Sequence, residues 1–244
     1  MMRPAVMILG SGSDLGAELA RQYAEREHPV YLLGRDAERL QHLENALGGC
    51  RSPQVRGYVC DLLDDERFES VLADLDPFPE IVIVTAGTMT GLEAPTAEAV
   101  RELMRINAEA PAIRLEQMMT EFEQRGIQGV LVGVSSLAGE RGRRSNYPYG
   151  AAKAAFTTYL SGLRHRMFRS GIHVMTVLPG FVQTKMLEGM QTPALLTIGP
   201  EEMAARIRLG IEQRRDVVYS GAIWRLIQWV LILLPEWLFK RTNL

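Results

Sequence analysis

The chain has 244 residues, nearly half of them apolar, and a formal net charge of −2. That length supports one large α/β core, and its interspersed charges leave no basic stripe for nucleic acid. Cys50 and Cys60 form no CxxC and the four histidines (His28, His42, His165, His173) lack metal-ligand spacing, so neither a disulfide scaffold nor a metal site is expected.

The opening "MMRPAVMILG" is too short an apolar run for a signal peptide, which gives the expectation of a cytoplasmic protein. Its strand "AVMIL" (5–9) feeds "GSGSDLGAELARQYAE" (10–25), a glycine-rich turn entering a helix. Such a turn aims backbone N–H groups and a helix N-terminus at an anion such as pyrophosphate. Gly10, Gly12 and Gly16 flank Ser11 and Ser13, whose hydroxyls are candidate additional donors. The second strand, "VYLLG" (30–34), ends at Arg35. At that point of a dinucleotide fold an acid binds the ribose 2′-hydroxyl, whereas an arginine accommodates a 2′-phosphate. Arg35 therefore favours NADPH over NADH, and Asp36 reads as the cap of the helix in "DAERLQHLENALGG" (36–49).

The remaining strands are "VRGYVC" (55–60), "IVIVTA" (81–86), "GVLVGVS" (129–135), "IHVMTVLP" (172–179) and "DVVYS" (216–220). They lack period-two polarity, as expected of a parallel sheet covered on both faces. "PEEMAARIRLGIEQRR" (200–215) starts with proline and acids and ends with bases, the charge order of a helix. Strands alternating with helices imply a single doubly wound (Rossmann) domain, residues 1–221, with about seven parallel strands and helices on both faces. An apolar tail, 222–244, follows it.

Taken in order, the motifs resemble the short-chain dehydrogenase/reductase family, and the resemblance spans nearly the whole chain. The family's Thr-Gly-x-x-x-Gly-x-Gly turn corresponds to Leu9, Gly10, Ser11 to Ser13, Asp14, Leu15 and Gly16, with Leu9 and Asp14 as departures. Its Asn-Asn-Ala-Gly appears as Val84, Thr85, Ala86 and Gly87. Asp61, followed by Leu62, takes the place of the adenine-contacting acid, and "LPGFVQTKM" supplies Pro179, Gly180, Val182 and Thr184 around the nicotinamide. Asn107, Ser136, Tyr149 and Lys153 match the catalytic positions.

The chemistry of those four agrees. Reducing a ketone by hydride transfer leaves an alkoxide, so the site must deliver a proton as charge grows on oxygen. In "SNYPYGAAK", Tyr149 lies four residues before Lys153 and so shares its helical face, whereas Tyr147 faces Ala151. An ammonium beside a phenol is expected to lower its pKa from about 10. The resemblance implies that Lys153 also contacts the nicotinamide ribose, that Ser136 polarises the carbonyl, and that Asn107 orders a proton-relay water. The enzyme expected is an NAD(P)-dependent oxidoreductase acting on CH–OH or C=O groups. A non-catalytic cofactor-binding protein is the alternative that the departures keep open.

Two segments bear on the substrate. Arg141, Arg143 and Arg144 in "GERGRRSNY" fall between the catalytic serine and tyrosine, where they are candidate phosphate ligands beside Tyr147 at the mouth, or else a solvated loop. The tail "AIWRLIQWVLILLPEWLFKRTNL" holds all three tryptophans and ends in Lys240 and Arg241. It is too interrupted to span a bilayer, and suits either a membrane-interface helix or a core or subunit contact. Together these segments resemble the reductases of decaprenylphosphoryl-2-keto-erythro-pentofuranose, which work beside a flavin oxidase. That resemblance implies a lipid-linked keto sugar and a peripheral place on the inner face of the cytoplasmic membrane. A soluble ketone is the other reading. Family resemblance also implies a homodimer or homotetramer, with "AAKAAFTTYLSGLRHRMF" (151–168) as an interface helix.

Overall fold

The computed structural model describes residues 3–90, 92 and 95–242, so the ends of the two expected segments, 1–2 and 243–244, lie outside the described residues. All seven expected strands form one parallel sheet: β1 (Val6–Leu9), β2 (Val30–Gly34), β3 (Val55–Val59), β4 (Ile81–Val84), β5 (Val130–Val134), β6 (His173–Leu178) and, near the end, Val217–Tyr219. Two further strands, β7 (Phe181–Val182) and β8 (Thr197–Ile198), pair as a small separate ribbon, which makes Val217–Tyr219 β9. The order in the main sheet is β3-β2-β1-β4-β5-β6-β9, the doubly wound arrangement, with its switch point between β1 and β4. Short β-branched runs give fully buried β1, β4, β5 and β6. β3 departs from this expectation. As the edge strand it is only partly covered, and Val59 is exposed.

Helices cover both faces: α1 (Asp14–Ala24), α2 (Ala37–Leu47), α3 (Asp65–Ala73), α4 (Ala97–Met104), α5 (Ala110–Arg125), α6 (Tyr147–Met167) and α7 (Pro200–Glu212). Two apolar clusters, one on each side of the sheet, fill the space beneath them. Helix starts follow local chemistry: Asp36 accepts from the Arg39 amide at 3.0 Å, and Pro200 with Glu201 and Glu202 opens α7. The tail forms α8 (Ala222–Leu233) and α9 (Glu236–Phe239). Trp224 in the first turn of α8 is buried, and its indole packs so closely on Gly180 that a Cβ there would lie 2.1 Å from the ring.

One contact fixes the site's dimensions. Ser136 opens a short 3-10 turn, Leu137–Gly139, whose last residue lies directly on α6. A Cβ on Gly139 would sit 2.7 Å from the Ala154 amide nitrogen, so only glycine lets the serine turn meet the helix of Tyr149 and Lys153. Gly139→Ala is expected to cost about 1–3 kcal/mol of stability, measured by urea unfolding, and to lower turnover more than cofactor affinity.

Candidate active site

The crevice at the carboxyl ends of β1 and β4 is built for close backbone approach. Gly10 takes φ +91°, and a Cβ there would stand 2.6 Å from the Ala86 nitrogen. A Cβ on Gly16 would stand 2.5 Å from the Gly10 carbonyl oxygen. Ser13 caps α1, accepting from the Gly16 amide at 3.0 Å and donating to the Gly10 carbonyl at 2.9 Å. The Thr85 hydroxyl donates to the same carbonyl at 3.0 Å. A hydroxyl absent at position 9 is thus present across the switch point at position 85. Ser11 corrects the expectation that both serines face a phosphate, because its buried hydroxyl donates to Leu33 O at 3.1 Å.

A groove of about 290 Å³ runs along this turn, lined by Gly10, Gly12, Arg35, Asp61, Leu62, Ala86 and Gly87 among others. Arg35 stands at its rim, 4.0 Å from the Asp61 carboxylate, which also accepts from the Leu63 amide at 3.0 Å. Arg39, in the first turn of α2 and four residues beyond Arg35, lines both this groove and the larger cavity beside it. The sequence reading missed it, although the four-residue spacing from Arg35 was visible. Arg39 lies 3.4 Å from the Asp14 carboxylate, whose other oxygen accepts from the Lys185 amide at 2.7 Å. Asp14 therefore stands where a glycine was expected, its charge offset by an arginine. Glycines that a Cβ would crowd and the α1 N-terminus together fit a dinucleotide.

The larger cavity, about 670 Å³, brings Ser136, Tyr149 and Lys153 together with Asp14, Leu15, Pro179, Gly180, Val182 and Thr184. Tyr149 and Lys153 come from α6, with the Lys153 Nζ 5.9 Å from the tyrosine ring centre. Ser136 lies two residues beyond β5, its oxygen accepting from the Ala138 amide at 3.1 Å. Asn107 lies in a π turn, Arg105–Glu109, between α4 and α5. Its amide accepts from Thr88 N and donates to Thr88 O and Leu103 O, each at 3.0 Å. Gly87 is the junction: a Cβ there would be 2.8 Å from Asn107 Oδ1 and 3.3 Å from Lys153 Nζ.

Electrostatics alter one expectation. Burial pushes the Tyr149 phenol up to about 12, against the opposing hydroxyl of Ser136, so the phenol is not acidified in the free protein. Lys153 is also buried and its pKa is pushed down to about 8, while its Nζ donates to Val134 O at 3.1 Å. Desolvation sets the direction of both shifts.

The substrate arginines separate. Arg143 lines the cavity, beside Asn146. Arg141 does not: it donates to Leu231 O and Leu234 O, pairs with Glu236 at 2.8 Å, and lies 3.9 Å from the Phe239 ring centre. It clamps the tail. Arg144 and Tyr147 are exposed and outside the cavity lining, as in the solvated-loop reading of the arginines. Trp224, which the sequence reading did not place in the site, forms part of the cavity wall, donating to Leu196 O at 3.0 Å.

A family model described as short chain dehydrogenase matches residues 4–194. An uncharacterized oxidoreductase of Mycobacterium tuberculosis is 32% identical over 242 residues, covering 97% of this chain and 96% of the relative. One from Streptomyces coelicolor is 29% identical over 246 residues, covering 97% and 95%. Among solved structures, a short-chain dehydrogenase from Sphingobium yanoikuyae in complex with NADPH superposes with a TM-score of 0.79 at 26% identity, covering 96% of this chain and 97% of that one. A short chain dehydrogenase from Burkholderia cenocepacia in complex with NADP has the same fold, with a TM-score of 0.80 at 24% identity, covering 95% and 98%.

The Lys153 ammonium is charged below its pKa, so it supports proton delivery there. We expect kcat/KM for carbonyl reduction to fall as pH rises through about 8. A pH profile of Lys153→Met should lack that break.

Proposed function

Because the chain belongs to the short-chain dehydrogenase family and is an NAD(P)-dependent oxidoreductase, we propose that it reduces a ketone to a secondary alcohol using NADPH, with Tyr149 as the proton donor. The observation that carries this is the meeting of Ser136, Tyr149 and Lys153 in one cavity that opens onto the glycine-lined groove. Gly10, Ser13, Leu15 and Gly16 would seat the pyrophosphate, Asp61 and Leu62 the adenine side, and Pro179, Gly180, Val182 and Thr184 the nicotinamide. Arg35 and Arg39 favour the 2′-phosphate, and the NADPH complex of the Sphingobium relative supports the same preference. When bound, the nicotinamide supplies the hydride.

The residues do the rest. Ser136 donates a hydrogen bond to the ketone oxygen, polarising the carbonyl. Tyr149, protonated at neutral pH, transfers its proton to the developing alkoxide. Its phenolate is then stabilised by Lys153 and by the N-terminus of α6, in whose first turn Tyr149 lies. Asn107, held by the Thr88 backbone, would order the water that returns the proton.

The cavity wall is mainly apolar, with Met89, Leu137, Phe181, Met186, Leu187, Met190 and Trp224 contributing. This favours an amphipathic ketone, lipid-linked keto sugars included. The tail supports a surface role. Leu226, Trp229, Val230, Leu233 and Trp237 are exposed on α8 and α9, beside Lys240 and Arg241. Among the described residues no helix is long and apolar enough to cross a membrane. A helix lying in the interface of an anionic bilayer fits this pattern. Homo-oligomers pairing through α6 are the expected assembly.

Loss of absorbance at 340 nm with a panel of amphipathic ketones tests the activity. Tyr149→Phe should reduce turnover roughly 100-fold or more while NADPH affinity changes less than about threefold. Undiminished turnover in that variant would sink the mechanism. Flotation with anionic liposomes tests the tail, using a Leu226→Glu/Trp229→Glu variant, because truncation before Trp224 would strip the cavity wall. The parent should float and the variant should stay in solution. A parent that stays in solution assigns the face to another protein surface.

A further inference from the structure

Among the described residues, none answers the charge of Arg143. It lines the catalytic cavity and also the narrow gap beneath α8, between Leu137 and Trp224. Its Nε is enclosed and has no hydrogen-bond partner. Among the described residues no carboxylate pairs with it. Glu140 borders the same gap without forming an ion pair, and burial alone, with no opposing anion, depresses the arginine's pKa. Its neighbours in the loop are otherwise employed, Arg141 in clamping the tail and Arg144 in solvent. A few residues on, Asn146 also lines the cavity, and its Oδ1 is enclosed with no donor.

A cation partly withdrawn from water without a partner is costly. So is an amide oxygen without a donor. Both residues line the cavity that holds Tyr149, and an anion reaching the guanidinium there would offset the arginine's charge. The planar guanidinium matches the paired oxygens of a phosphoryl or carboxylate group. Apolar Leu137 and Trp224 flank the position, so the anion would sit at the join between a polar head and an apolar body.

We propose that Arg143 is the anion-binding arm of the substrate subsite, selecting ketones that carry a phosphoryl or carboxylate group next to an apolar segment. This rests on the reductase reading for the ketone, but the anion subsite itself does not require turnover.

The test is calorimetric titration of the NADP-loaded full chain with three probes of equal chain length: octyl phosphate, octanoate and 1-octanol. The parent should bind one or both anions at least roughly tenfold more tightly than the alcohol, the size expected of a charge-assisted hydrogen bond. Arg143→Gln, checked for fold by circular dichroism, should bring the anions down to the level of the alcohol, and Arg143→Lys should restore part of the difference. Comparing phosphate with octanoate identifies which oxyanion fits. An equal loss for all three probes in Arg143→Gln would make the residue a packing element and overturn the proposal, as would a parent with no preference for anions. An anion preference in a parent protein that turns over no ketone would leave the subsite standing and defeat the reductase reading instead.

Discussion

The site depends on keeping one ammonium group out of water. Lys153 is enclosed, and among the described residues its Nζ has a single protein hydrogen bond, to the Val134 carbonyl at the end of β5. Burying a charge with so few partners is costly, and the fold must hold the surrounding elements in place to sustain it. Three approaches do so. Gly87 brings the end of β4 against Lys153 and Asn107, Gly139 brings the serine turn onto α6, and Ser135 beneath it donates to the Lys153 carbonyl at 2.9 Å. The catalytic geometry is thus a consequence of backbone packing at the sheet's carboxyl edge. A charge held there is well placed to answer a phenolate at the moment one forms.

The cofactor groove shows a second solution to the same electrostatic problem. Asp14 places a carboxylate in the first turn of α1, where a bound pyrophosphate would also lie. The helix N-terminus favours that carboxylate, and Arg39 offsets it. Through its bond to the Lys185 amide, the same side chain ties the segment after β7 to the crevice. Departure from the family's glycine therefore exchanges open space for a tether between the two lobes of the site.

How far the sequence was legible depended on the range of the interaction. Strand positions, the Asp36 cap and the Tyr149–Lys153 spacing are local, and the structure contains each of them. Ser11, Arg141 and Trp224 were misread or passed over because their partners are distant: Leu33 for the serine, the α8–α9 junction for Arg141, and Gly180 with Leu196 for the tryptophan. No pattern near those residues encodes such contacts. The fall in the Lys153 pKa and the rise in that of Tyr149 were hidden for a related reason. Spacing shows that a cation and a phenol are neighbours, but the depth of burial decides whether attraction or desolvation prevails. The two-residue strands β7 and β8 are too short to carry any periodicity.

The tail is better described as a wall of the cavity with an apolar outer face than as an appendage. Trp224 and the Arg141 clamp join it to the catalytic loop, so whatever covers its outer face acts on a segment continuous with the substrate site. The account's central claim remains the buried ammonium. The chain has only three lysines, Lys153, Lys185 and Lys240, so labelling with lysine enriched in 13C at Cε gives three resolvable signals. Following them by NMR as pH is raised should give Lys153 a midpoint near 8. A midpoint at the ordinary lysine value of 10.5 would show an accessible ammonium and contradict the account.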